Sequence, residues 1–410
     1  MNGDALAAGF GGALAGVRVV DLTRNLAGPF CTMVLGEFGA DVVKIESPRG
    51  GDDTRAWAPL TEDGESPMFS SANRNKRSIA IDLDSADGVA IVEELVRGSD
   101  VVVESFRPGA LDRRGLGFET LSASKPDLIY CSISAFGAVG PRHSEPGYDP
   151  VIQAASGIMS ITGDPDGPPA RLGVGAVDLG AGLWAVVGVL LAIAQRERTG
   201  RGCRVDTSLF ETAAWWLSYH VAGYLATGIE PQRHGSASPA IAPYEAYATN
   251  EGMLFVAAGN DNLFRMLCDA LELHDLNRDS RFATNALRVA NVEALRMVLT
   301  GRLRAKSAHE WEQILKARSV PCSRVASVGE FSRDPQLAAL QMLVQARGPQ
   351  AAGSQDDGLR LVGTPLSADG TRALPKLPPP AFGEHTDAIL EELGWSHERV
   401  AALRERGVVR

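Results

Sequence analysis

Val17 to Glu46 reads VRVVDLTRNLAGPFCTMVLGEFGADVVKIE. Two β-branched runs, Val17 to Asp21 and Asp41 to Glu46, flank a stretch with helical spacing from Pro29 to Phe38. A strand, a helix and a second strand in that order predict parallel strands, because the crossover returns the chain to the same end of the sheet. The pattern continues downstream with strand-like runs at Ser78 to Asp82, Asp100 to Glu104 and Leu128 to Ser132. Helical segments at Ala86 to Arg97 and Phe118 to Ser124 alternate with them. This alternation predicts an α/β fold with a large Rossmann-like domain and a mostly parallel sheet.

A long helix is expected from about Leu179 to Arg198, after which Cys203 to Ser208 returns to the sheet and a second helix runs to about Ala226. From Tyr244 the pattern changes. A hairpin, Tyr244 to Ala248 and Met253 to Ala257, leads into several amphipathic helices, the mark of a smaller α+β domain. With 410 residues the chain exceeds what one core supports, so two domains are expected. The large domain begins over residues 1–226, a linker with a Gly/Ser loop spans 227–243, the small domain spans 244–340, and 341–410 returns to the large domain. Met1 to Gly16 reads as a loose tail, Gln350 to Asp357 as a polar loop, and the prolines of Leu374 to Pro380 force an extended path.

Composition excludes several function classes. A net charge of -10 argues against a nucleic-acid surface, which needs concentrated Lys and Arg. The apolar run Leu183 to Ala194 is shorter than the ~20 residues that cross a bilayer, so a buried helix is expected and no membrane location. Met1 to Gly16 lacks the pattern of a secretory signal. The five cysteines stand singly, without metal-ligand spacing, and fit a reducing cytoplasm. No metal site is expected, and phosphate-binding signatures for ATP or NAD are missing.

Some residues remain with chemistry to offer. The loop Asp21 to Pro29 leaves the first strand and enters a helix, where open α/β sheets bind ligands and helix N-termini favour anions. Two basic groups, Asn73 to Ser78 and Arg107 with Arg113 and Arg114, suit either a phosphorylated ligand or solvated surface. Asp178, in GAVDLGAG from Gly175 to Gly182, is a carboxylate at a helix start with glycines that would let a thioester approach. It reads both as an N-cap and as a nucleophile. His143, His220, His274, His309 and His397 have no evident partners, and His385 reads as part of the loop entering the last helix.

Taken together, several motifs resemble the class III CoA-transferases, the family that includes formyl-CoA transferase, carnitine CoA-transferase and α-methylacyl-CoA racemase. The resemblance rests on VDLT with LAGP (Val20 to Pro29), LGEFGADVVKIE (Leu35 to Glu46), NKRS (Asn75 to Ser78) and PGAL (Pro108 to Leu111). It extends through GYD (Gly147 to Asp149), the Asp178 segment, TGRG (Thr199 to Gly202) and GEHT (Gly383 to Thr386). It covers nearly the whole chain.

The resemblance implies that Asp178 attacks the acyl-CoA thioester, with acyl-CoA and a carboxylic acid as substrates and no tightly bound cofactor. Coenzyme A is implied to contact Leu26, Ala27, Ile81, Ser105, Phe106 and Arg113. Ser47 and Asp84 stand where relatives carry cations, so Arg49 or Arg74 is expected to substitute. Racemases carry His at the position of Tyr148 and Glu at that of Asn260; without that acid/base set, transfer is implied, with Tyr148 kept beside Asp178 as a candidate catalytic position. Leu26 replaces a Gln of the formyl-CoA branch, which disfavours formate and oxalate. The loop bearing Gly235, Ser236 and Ser238 is expected to act as a small-residue lid. The motifs look closest to the dicarboxylate branch that includes succinate–hydroxymethylglutarate CoA-transferase, with Arg171 or Arg233 available for a distal carboxylate. An interlocked homodimer is also implied.

Overall fold

In the computed structural model, residues 9–62, 64–345 and 359–410 are described. Gln350 to Asp357 lies outside them, as do residues 1–8. The described remainder of the N-terminal tail is docked rather than loose: Leu14 is buried and its N–H donates to the Phe38 carbonyl at 2.9 Å.

Six strands form one parallel sheet: β1 (Arg18–Leu22), β2 (Asp41–Glu46), β3 (Lys76–Ala80), β4 (Val101–Glu104), β5 (Ile129–Ser134) and β6 (Arg204–Ser208). Their order is β3-β2-β1-β4-β5-β6. Register follows the β-branched runs, with Val19 opposite both Val42 and Val101. Helices cover the sheet, so β4 and β5 are buried at every position, as parallel strands with two covered faces must be. The helices are α1 (Ala27–Glu37), α2 (Pro67–Asn73), α3 (Ala86–Arg97), α4 (Phe118–Ser124), α5 (Asp149–Ser156), α6 (Ala176–Thr199) and α7 (Leu209–Trp216); α8 (Ser218–Thr227) follows with no buried residue.

The third strand starts two residues earlier than the sequence suggests, and this changes the meaning of the basic group around it. Lys76 and Arg77 are strand residues. Lys76 Nζ is fully buried 3.0 Å from Asp21 Oδ2, and it also donates to the Pro29 carbonyl and Asn73 Oδ1. Lys44 Nζ, equally buried, bonds Asp52 Oδ2 and the Thr23 carbonyl, each at 3.0 Å. Burial opposes the Asp21 charge, but Lys76, Lys44 and two threonine hydroxyls outweigh it and hold this carboxyl below the usual range. These bonds tie the carboxyl end of β1 to its neighbours, and removing one partner would strand a buried charge at a cost of about 3–5 kcal/mol.

Close backbone contact sets α1 against α6. A Cβ on Gly182 would stand 2.6 Å from the Ala27 carbonyl, and one on Gly180 would meet Thr212 and Trp216 at 2.7 Å. The glycines after Asp178 therefore serve helix packing, not thioester access. Among the described residues α6 is the one helix long and apolar enough to cross a membrane, with a mean hydropathy of 2.1. It is not wholly buried, as its run suggested. Ala181, Ala185 and Val189 face the core, whereas Leu183, Trp184, Val187 and Leu191 are exposed.

The chain separates into two compact units, one of Met1–Ser156, Gly173–Val221 and Gln336–Arg410, the other of Gly157–Leu172 and Ala222–Pro335. In the first, the C-terminal segment returns to the sheet edge, where Ile81 bridges Val409 and Thr386 Oγ1 accepts from Ala80 N–H. The second holds β7 (Tyr244–Ala248) and β8 (Met253–Ala257) as a hairpin, extended by β9 (Cys322–Arg324) into an antiparallel sheet. Its core gathers Leu254, Phe282, Leu299 and Trp311.

Candidate active site

The strand order reverses direction between β1 and β4, and open α/β sheets bind ligands outside the carboxyl ends of the strands at such a point. A cleft of about 340 Å³ lies there, within the first unit. The loop after β1 supplies Leu26 and Ala27, and the loop after β4 supplies Ser105 and Phe106. Tyr148 and Asp178 complete the set. Six of the residues singled out in the sequence thus meet in one cavity, although they come from four separate segments. Arg24 Nη2, at the mouth, pairs with Asp53 at 2.7 Å. Arg107 lines the same cleft.

Asp178 is half-buried in the first turn of α6 but is not its N-cap, so that sequence alternative fails. Gly175 occupies the cap position and makes no side-chain bond. The capping carboxylate belongs to Asp149, at the start of α5: its Oδ2 accepts from Val177 N–H at 2.8 Å and from Asp178 N–H at 3.1 Å. Burial, and then the nearby Asp149 charge, raise the Asp178 carboxyl to about 7. A carboxyl group so raised and open to a cleft is a candidate functional group. Asp149 belongs to the GYD motif, where Tyr148 is the residue that the sequence singles out; a cap supplied from distant sequence leaves no local pattern.

Behind Leu26, α1 begins without a side-chain cap. Its first turn therefore offers backbone N–H groups at the cleft wall formed by Ala27 and Gly28. Gly28 is required for close packing, since a Cβ there would stand 2.3 Å from Thr23. At Gly175 a Cβ would meet Leu26 at 3.0 Å.

Other expected site residues lie elsewhere. Arg74 is 2% exposed and bonds Glu37 at 2.9 Å, so it cannot serve a phosphate, and the Asn73 to Ser78 group is neither ligand site nor solvated surface. Arg49 is exposed but bridges Asp82 and Asp84, each at 3.0 Å, and Arg114 shares Asp84. Ile81 is a core residue and Arg113 is exposed; neither lines the cleft.

In the second unit, Gly235 N–H donates to the Gly163 carbonyl at 3.0 Å, and Ser236 Oγ accepts from Ala246 N–H. Ser238 N–H bonds the Tyr244 carbonyl. The loop expected as a lid is stitched down by these bonds. Arg233 spends its guanidinium on the carbonyls of Asp164, Pro165 and Gly167. Arg171 is exposed, and Asn260 caps the helix Asp261–Ala270.

Residues 14–386 match the model for CoA-transferase family III. The chain is 39% identical over 388 residues to succinate–glutarate CoA-transferase of Agrobacterium fabrum, covering 93% of this chain and 95% of that one. It is 37% identical to the human succinyl-CoA:glutarate CoA-transferase, over 97% and 90% of the two chains. A crystal structure of a CaiB/BaiF family protein from Brucella suis superposes with a TM-score of 0.84 at 39% identity, over 93% of this chain and 99% of the other.

Proposed function

The chain belongs to CoA-transferase family III and is an enzyme that uses CoA thioesters, and from that premise we propose that it moves CoA from succinyl-CoA to a dicarboxylic acid by covalent catalysis on Asp178. The observation that carries this reading is a half-buried, unbonded carboxylate opening onto the cleft at the sheet's reversal point. The Asp178 carboxylate attacks the thioester carbonyl, expelling CoA thiolate and forming a mixed anhydride. The thiolate then attacks the aspartyl carbonyl of the anhydride, the first acid leaves as its carboxylate, and an aspartyl-CoA thioester remains. The acceptor carboxylate attacks that thioester to give a second anhydride and thiolate, and thiolate attack on its acyl carbonyl releases the new acyl-CoA and restores Asp178.

Leu26, Ala27, Ser105 and Phe106 line the path of the pantetheine arm, and Tyr148 borders the reacting carbonyl. The uncapped turn of α1 presents N–H groups for the oxyanion of each tetrahedral intermediate. Leu26 adds an apolar wall, which suits exclusion of water from intermediates that hydrolyse readily. Glutarate is the first acceptor to assay, because the relatives above act on it by name. We place the enzyme in the cytoplasm, consistent with its cysteines all being free thiols. A homodimer is part of the proposal: the exposed apolar face on α6 continues onto Trp215, whose ring lies 5.5 Å from Trp184, and a second copy would cover it.

The test is formation of new acyl-CoA from succinyl-CoA with glutarate, and with a panel of other diacids. Turnover with one or more diacids is expected, with a loss of about 10⁴-fold or more in Asp178→Ala. Hydrolysis without transfer to any acid would contradict the proposal.

A further inference from the structure

The first turn of α6 brings its nucleophile and its cap into contact, and the cap does more than hold the helix. A helix N-terminus normally stabilises a carboxylate in its first turn, through free N–H groups and the aligned peptide dipoles. The Asp178 carboxylate occupies that position without receiving any of the three N–H groups of the first turn. The Ala176 N–H is used by the Val174 carbonyl at 2.8 Å, and those of Val177 and Asp178 are both used by Asp149 Oδ2. The other Asp149 oxygen accepts from Gln153 Nε2, so the capping carboxylate is fixed on both sides. Asp149 is buried and does not line the cleft.

We propose that Asp149 is a positioning residue that keeps Asp178 reactive, by occupying the helix-end donors that would otherwise bind and quench the Asp178 carboxylate, and by placing a second negative charge behind it. Asp178 is left pointing at the cleft with no donor to satisfy it, and the acyl carbonyl becomes its favourable partner. The inference rests on the nucleophilic reading of Asp178 and adds to it the group that tunes that nucleophile.

Apart from Arg107, the other charges near α6 are neutralised or spent elsewhere. Arg24 is paired with Asp53, and Glu145 with Arg142. On α1, Glu37 is bound by Arg74; on β6, Arg204 and Asp206 pair with each other; on α7, Glu211 bonds Ser208. Arg107 and the phenol of Tyr148 also face the cleft. Besides burial, Asp149 is the group that raises Asp178.

Asp149→Asn keeps an oxygen for the cap and deletes the charge, and Asp149→Glu keeps the charge. In the pH profile of transfer the wild-type acid limb is expected near 7. The Asn variant should move that limb down by about one unit or more and lower kcat at pH 8 by about 3- to 10-fold, with KM for acyl-CoA nearly unchanged. The Glu variant should keep the wild-type limb. An Asn variant whose limb stays in place, whether or not kcat falls, overturns the proposal and leaves Asp149 a structural cap. Carbodiimide labelling of Asp178 against pH gives a second readout that requires no turnover and, in the wild type, no folded variant: a midpoint near 7 is expected, and one in the ordinary carboxylate range overturns the proposal. Because labelling reads Asp178 directly, it separates failure of this inference from failure of the covalent mechanism, which a missing acyl adduct on the wild-type enzyme would show.

Discussion

Asp178 bears a cost that goes with the chemistry proposed for it. Its carboxyl sits at about 7 in the folded chain, against 3.8 for a free one, so the folded state holds a proton that the unfolded state has released over that interval. Stability contributed by this site is therefore lost as pH rises from about 4 to about 7, and the full penalty applies above that. Asp178→Asn has no such penalty. The variant should be more stable than wild type at pH 8 by roughly 2–4 kcal/mol and little different at pH 4, as read from denaturant melts at the two pH values. A pH-independent difference would mean that burial of the carboxylate is not the cause. At this scale the sequence reveals residue types and not their partners. Asp178 stands out because small residues surround it, and the choice between racemase and transferase rests on two positions, Tyr148 and Asn260, of which only Tyr148 lines the cleft. Arg74 and Lys76 looked like phosphate or surface groups, because the carboxylates that bury them, Glu37 and Asp21, lie tens of residues away. Asp149 gives no local signal for the same reason, since the helix it caps begins 27 residues after it in sequence.

Elements with strong periodicity are visible before folding. The helix Ala86–Arg97, the hairpin strands and, to within two residues, the β-branched runs of the parallel sheet fall where their patterns place them. The short ones are not: α5 has 8 residues and β9 has 3, too few to display a period. This gap matters because α5 carries Asp149. Strand β3 begins at Lys76 because the buried ion pair with Asp21 makes a cation admissible inside the sheet, which hydrophobic patterning alone argues against. The glycines of α6 illustrate a further limit, since spacing marks a close approach without saying what approaches. Gly182 admits the backbone of α1, and that contact fixes the helix whose first turn lines the cleft.

For the whole molecule, the parallel sheet and its reversal point locate the cleft, and family membership supplies the reaction class. The exposed apolar face is the feature that a single chain leaves unexplained. Leu191 is 66% exposed and Tyr219 is 73% exposed, values that favour burial in an assembly. Sedimentation should give a dimer at micromolar concentration, and Leu191→Asp with Tyr219→Asp should weaken it; a monomeric wild type would remove the second copy from the account. The covalent step on Asp178 remains the central claim, and one measurement addresses it directly. Wild type and Asp178→Ala are incubated with succinyl-CoA, treated with hydroxylamine and digested for mass spectrometry. A hydroxamate on Asp178 in the wild type, with none in the variant, is the predicted result. An unmodified Asp178 peptide from an enzyme that is turning over would contradict it.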